Sequence, residues 1–201
     1  MHGWGFSSRI LKGVNSVDLP FHGESDLQYT HMWDLARNIA LKVREGSVLI
    51  GWSLGGSLAL MMAYLFRSRF KGLLLVGTSP CFGCLWSQRN LRGFTLRLEK
   101  EGEDFLREFR SHAYPKGFEY KIELEGAKRL LKDYIRLDIR PILPYIKEKV
   151  IILQGLQDPI VPFSSALTLY NMLNNAKLIT FLGGHFPKDE SLIFEVLKGL
   201  L

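Results

Sequence analysis

Residues 49–60 read LIGWSLGGSLAL. An apolar run leads into Ser53, which stands between Gly51 and Gly55, and a helically spaced apolar run follows. The pattern G-x-S-x-G at a strand-to-helix junction describes a nucleophile elbow. Two residues without Cβ let the backbone turn sharply, the serine hydroxyl is lifted above the sheet edge, and the first helical N–H, that of Leu54, faces a developing oxyanion. A glycine-rich bend without chemistry is the plainer alternative. The strand before and the helix after are the context the elbow requires, and they favour the catalytic reading.

Working outward, NSVDL (15–19) predicts a short strand and MWDLARNIALKV (32–43) an amphipathic helix. SVLIGW (47–52) and KGLLLVGTS (71–79) are continuous apolar runs suited to a parallel sheet buried on both faces, with the apolar helix 57–66 between them. Strand alternating with helix predicts an α/β fold: a mostly parallel sheet with helices on both faces. From about Cys81 to Pro144 the character changes. Residues 90–112 and 126–140 mix charges of both signs with helically spaced apolar positions, which predicts a helical lid insertion over 81–144. The α/β pattern resumes with KVIILQG (149–155), a helix over 165–174, AKLITFL (176–182) and a closing helix over 190–201. The expected domains are a core, 1–80 and 145–201, and the lid.

The 201 residues suit one domain, 47% of them are apolar and mean hydropathy is near zero, all as expected of a globular chain. No apolar run reaches the roughly 20 residues of a membrane span. The first residues, MHGWGFSSRI, do not read as a signal peptide, and a cytoplasmic location is expected. A net charge of +6 suggests an anionic partner, yet no basic block or nucleic-acid motif accompanies it. Cys81 and Cys84 lack a second pair to complete a zinc tetrahedron and read as reduced thiols. No metal or organic cofactor is expected.

A nucleophilic serine needs a base, and the base needs an orienting acid. In this architecture they follow in the order Ser, acid, His, on loops after later strands. Asp158 lies just past 149–155 and His185 just past 176–182, so both loops reach the C-terminal sheet edge that carries Ser53. Asp189 follows the histidine and is less well placed. HGWG, His2 to Gly5, can supply the second oxyanion N–H from Trp4, whose indole would wall an acyl pocket. His2 reads as a loop-packing residue, and His22, His31 and His112 as surface or packing residues.

HGWG, DLPFHGES, GWSLGG, GTSPCF, QGLQDPIVP and GGH occur in the order found in α/β-hydrolases, which the chain resembles over nearly its whole length. More narrowly it is similar to the methyl ester carboxylesterases that act on pimeloyl-acyl carrier protein in biotin synthesis. Against that pattern the N-terminal strands are truncated, since the sequence opens at the HG loop. The resemblance implies a Ser53–His185–Asp158 triad, oxyanion amides from Leu54 and Trp4, and an acidic carrier protein held by basic lid residues. The lid offers Arg89, Arg92, Arg97, Arg107, Arg110, Lys128, Arg129, Lys132 and Arg136, although interspersed acids make a solvated helix face an equal reading for any one. The alternatives are a general short-chain esterase or carbon–carbon hydrolase of the same fold, and a non-catalytic binder on that scaffold.

Overall fold

In the computed structural model, which describes residues 1–201, four strands form one sheet: β1 (Val48–Trp52), β2 (Gly72–Val76), β3 (Lys149–Gly155) and β4 (Ala176–Phe181). Their order is β1-β2-β3-β4 and every pairing is parallel. β2 is wholly buried and β3 is buried after Lys149, as their unbroken apolar sequences require, while the edge strand β4 is only half covered. Register fixes what matters for chemistry. Trp52 pairs with Val76, Val76 with Leu153 and Leu153 with Ile179, so the four strands end together and the loops beyond them rise at one edge.

Helices α1 (Met32–Lys42), α2 (Leu54–Leu65), α6 (Phe163–Met172) and α7 (Ser191–Leu197) flank the sheet. α2 starts directly after Ser53, and all its residues from Leu54 to Ala63 are buried, making it the central helix of the core. Three helices lie between β2 and β3: α3 (Gln88–Glu101), α4 (Glu103–Ala113) and α5 (Leu124–Arg136). The long charged run thus splits in two, because Gly102 takes φ +56° and ends α3 through its N–H on Leu98 O. No helix is long and apolar enough to cross a membrane.

Two expectations fail. NSVDL is not a strand, because its end is tied by side chains rather than by a neighbouring strand. Asp18 accepts the N–H groups of Ser8 and Glu24 (2.5 and 2.9 Å), and Leu19 N–H donates to His2 Nε2 at 2.9 Å. Cys81 and Cys84 are not free thiols but a disulfide. The short 3-10 turn Phe82–Cys84 folds Cys84 N–H onto Cys81 O (3.1 Å) and sets the two Cα atoms 5.3 Å apart, within ordinary disulfide reach.

Candidate active site

Ser53 adopts φ 54°, ψ −122°, a conformation that costs a non-glycine residue free energy and persists only where its surroundings hold it. Here the hold is identifiable. Ser53 N–H donates to Val76 O at 2.9 Å, and the glycines on each side are packed so closely that side chains are excluded. A Cβ on Gly51 would strike the Gly56 backbone, and one on Gly55 would sit 2.5 Å from Met1 O. The residue is 8% exposed.

His185 and Asp158 meet on the loops after β4 and β3. His185 Nδ1 lies 2.7 Å from Asp158 Oδ2, with both side chains essentially sealed from solvent. The other acidic oxygen, Oδ1, accepts the N–H groups of Ile160 and Val161 at 2.8 and 2.9 Å, so the turn of the acid loop itself fixes the carboxylate. That leaves the Nδ1–H donating to Asp158 and Nε2 as the basic nitrogen. Gln154 also donates to Oδ2, at 3.1 Å. It is a buried polar residue following the apolar run Val150–Leu153; that contrast is visible in KVIILQG, although its meaning is not.

The imidazole is seated by β1 and β2. Trp52 Nε1–H donates to His185 O at 3.0 Å and the two rings lie 5.4 Å apart. Gly77, at φ +50°, leaves the space the ring needs, since a Cβ there would come within 2.9 Å of His185 Nδ1. Ser53 Oγ and His185 Nε2 have no hydrogen bond to one another or to any other group in this structure. The fold brings acid and base into bonding contact and holds the serine beside Trp52, short of a closed triad. Asp189 instead accepts the N–H of Ser191 at 2.9 Å and plays no part in the pair.

The HGWG turn passes beside Ser53: a Cβ on Gly3 would lie 3.1 Å from Ser53 Cβ. Trp4 N–H meets no acceptor, and Leu54 N–H is a first-turn donor of α2, left over by helix geometry. The Trp4 indole is buried among lid residues. Its N–H donates to Ala127 O on α5 (2.7 Å) and its ring packs edge-on against Phe109. Phe109 in turn lines an apolar cavity of about 210 Å³, with Phe82, Trp86, Leu91, Phe94 and Ile160 around it. Because Ile160 belongs to the Asp158 loop, the cavity lies between α3, α4 and the catalytic edge. A larger recess, about 640 Å³, runs along the outer side of β1 beside Val14, Ile39 and Leu49, and none of the three chemical residues faces it.

The basic residues divide sharply. Arg89, Arg92 and Arg136 are exposed and form no ion pair. Arg97 is shared by Glu101 and Glu108, Arg107 pairs with Asp104, Lys128 with Glu99 and Glu125, and Lys132 with Glu99. Arg129 is exposed and donates to Thr30 O. Arg110 is buried and cannot meet a partner protein, so it leaves the set of surface contacts expected from sequence. His31 and His112 are exposed, whereas His2 and His22 are almost completely buried against the HGWG turn. Burial brings the His22 imidazole down to about 4 and His2 well below the usual range, so both are neutral.

A parallel sheet with a strained serine on its first elbow, and a buried acid–histidine pair on later loops, defines an α/β-hydrolase scaffold. Comparison with known proteins agrees. Residues 1–188 match the model of the alpha/beta hydrolase family, and the chain belongs to that family. A pimeloyl-[acyl-carrier protein] methyl ester esterase from Wigglesworthia glossinidia brevipalpis is 28% identical over 93% of this chain and 85% of its own. The protein of the same name from Cronobacter sakazakii is 28% identical over 97% and 82%. Among solved structures, the enol-lactonase from Burkholderia xenovorans superposes with a TM-score of 0.80 at 16% identity, over 99% of this chain and 88% of that one. A hydrolase from Oleispira antarctica gives 0.79 at 18% identity, over 98% and 88%. These two share the fold.

Proposed function

We propose that this α/β-hydrolase is a serine carboxylesterase that removes the methyl ester from pimeloyl-acyl carrier protein. The observation that carries the chemistry is the sealed 2.7 Å contact between His185 and Asp158 at the sheet edge that bears Ser53. The choice of substrate is supported by the names of the relatives that align with nearly the whole chain. In the proposed reaction the Ser53 hydroxyl attacks the ester carbonyl and its proton passes to His185 Nε2. Asp158 keeps the imidazole in the tautomer that accepts this proton and stabilises the imidazolium. The N–H groups of Trp4 and Leu54 hold the tetrahedral oxyanion. Methanol leaves with a proton from His185, and water deprotonated by the same nitrogen hydrolyses the acyl-enzyme.

The segment 81–144 acts as the lid in this reading, and the 210 Å³ cavity beneath α3 and α4 takes the apolar acyl chain. Arg89 and Arg92 flank Asn90 and Leu91, both of which line that cavity, and no carboxylate neutralises them. They are the leading contacts for an acidic carrier protein, with Arg107, Arg129 and Lys132 further along the surface. One experiment tests substrate and chemistry together. Turnover of the carrier-bound methyl ester is measured for wild type and Ser53→Ala across a salt series. The wild-type rate should fall as salt screens the carrier, and the variant should lose at least about a thousandfold. A variant near wild-type rate removes the mechanism, and salt-independent turnover removes the carrier contact.

A further inference from the structure

Arg110 is a buried guanidinium without a carboxylate. It is 8% exposed, its Nε donates to Gly5 O at 2.6 Å and its Nη2 to Tyr120 O at 3.0 Å, and the group lies over the Phe118 ring. Keeping a charge out of water is costly unless strong partners repay it, and carbonyl oxygens alone are modest repayment. A residue held at such cost invites the question of what it holds in place.

The answer lies in three consecutive peptide groups of the HGWG turn. The first carries Gly3 O and Trp4 N–H; its oxygen accepts from His2 Nδ1 at 2.7 Å and from Phe6 N–H at 3.3 Å. The second carries Gly5 N–H, which donates to His22 Nε2 at 3.0 Å, while His22 Nδ1 is 2.7 Å from Pro20 O and so bears the proton. The third carries Gly5 O, taken by Arg110. Gly5 itself has φ +83°, and a Cβ there would come within 3.0 Å of Leu106 Cδ1, one helical turn before Arg110 on α4. The Trp4 N–H shares the first plane with Gly3 O, and the contacts on the next two planes keep the turn from rotating on its far side. The Trp4 N–H meets no acceptor, as is also true of the His2 and Gly3 N–H groups, whereas the Gly5 N–H is taken by His22.

We propose that Arg110 and His22 are positioning residues that clamp Gly5 from both sides, so that α4 must be docked for Trp4 N–H to complete the oxyanion hole. The turn is thereby supported by the helical segment rather than by the sheet alone, and acyl transfer is coupled to the closed position of α4. This rests on the serine-esterase reading above. Neither residue touches substrate.

The test uses the intact protein with Arg110→Ala and Arg110→Lys. On p-nitrophenyl butyrate the alanine variant should lose about ten- to a hundredfold in kcat, less than the full loss of an oxyanion donor, with KM within about threefold. Added ethylguanidinium should restore a large part of that kcat. In ¹⁵N-labelled protein the Gly5 amide resonance should move, with that of Leu54 unchanged. If the alanine variant does not fold, Arg110→Lys decides: a displaced Gly5 resonance with reduced kcat supports the clamp. Wild-type kcat together with an unmoved Gly5 resonance in the folded variant overturns it. So does a loss of kcat that tracks thermal stability and resists rescue. The amide signal reads the clamp without any turnover, so absence of esterase activity in wild type would sink the proposed function and leave this inference to stand or fall separately.

Discussion

Two kinds of buried histidine environment surround Ser53, and they differ in what faces the second ring nitrogen. His185 has a carboxylate in direct hydrogen-bond contact at 2.7 Å; His2 and His22 bond only backbone carbonyls and N–H groups, with their ring centroids 5.3 Å apart and the nearest carboxylate, Asp18, 3.9 Å from His2 Nε2. The contact with Asp158 orients the His185 ring and leaves Nε2 without a partner. Burial penalises the imidazolium and outweighs the pull of Asp18 on His22, so His22 and His2 stay neutral and serve as geometric props. The same side chain, equally buried, is bonded to a carboxylate in one place and to backbone groups alone in the other.

The largest effect should come from breaking the first environment. Asp158→Asn keeps the shape of the acid loop but lets the wrong imidazole tautomer form, and kcat should drop about ten-thousandfold with little change in KM. Steady-state kinetics on a short p-nitrophenyl ester checks this, and a drop of less than about tenfold would mean His185 needs no carboxylate.

The second environment should appear in stability. The His22 imidazole sits at about 4 in the folded chain against 6.5 for an unperturbed histidine. Between those values the unfolded chain binds more protons than the folded one. The stability due to His22 is therefore complete above pH 6.5 and is lost as pH falls toward 4, by at most about 3 kcal/mol. His2 pushes in the same direction, while Arg110 and Asp18 are the charged groups that bear on His22, with opposite sign. Urea titrations from pH 7 to 4.5 should show this slope in wild type and a shallower one in His22→Gln; equal slopes would show that His22 is not the neutral strut described.

The smallest change sharpens the comparison. Gln154→Leu removes the side-chain donor to Asp158 Oδ2 but leaves the Ile160 and Val161 amides on Oδ1. The loss in kcat should be only about three- to tenfold, consistent with one hydrogen bond of about 1 kcal/mol. A loss as large as that of Asp158→Asn would place the control of the acid in Gln154 instead of in the loop backbone.

Much of the architecture was legible in the sequence because its signals are local. The apolar runs at 71–79 and 149–155 are strands buried on both faces as read, while 47–52 is a strand whose Val48 and Ile50 are only partly covered at the sheet edge, and G-x-S-x-G between such a strand and an apolar helix can fold into few shapes. What was misread depended on partners far away in sequence. NSVDL carries strand-like alternation, but Asp18 gathers the backbone N–H groups of residues on either side and forms a loop instead. Arg110 has the surroundings of any solvated helix charge until α4 folds over residue 5, 105 positions earlier. CFGC gives no hint by itself of whether its thiols pair; the tight turn at Phe82–Cys84 brings them together.

The sequence by itself therefore determined the parallel sheet, the strained elbow at Ser53 and the chain order of serine, acid and histidine, because strand burial and turn geometry are written in neighbouring residues. Only the tertiary structure decided which histidine receives a carboxylate, which arginine is buried and what supports the HGWG turn. Those choices are made by hydrogen bonds between residues distant in sequence, and their energies depend on burial that exists only once the chain has folded.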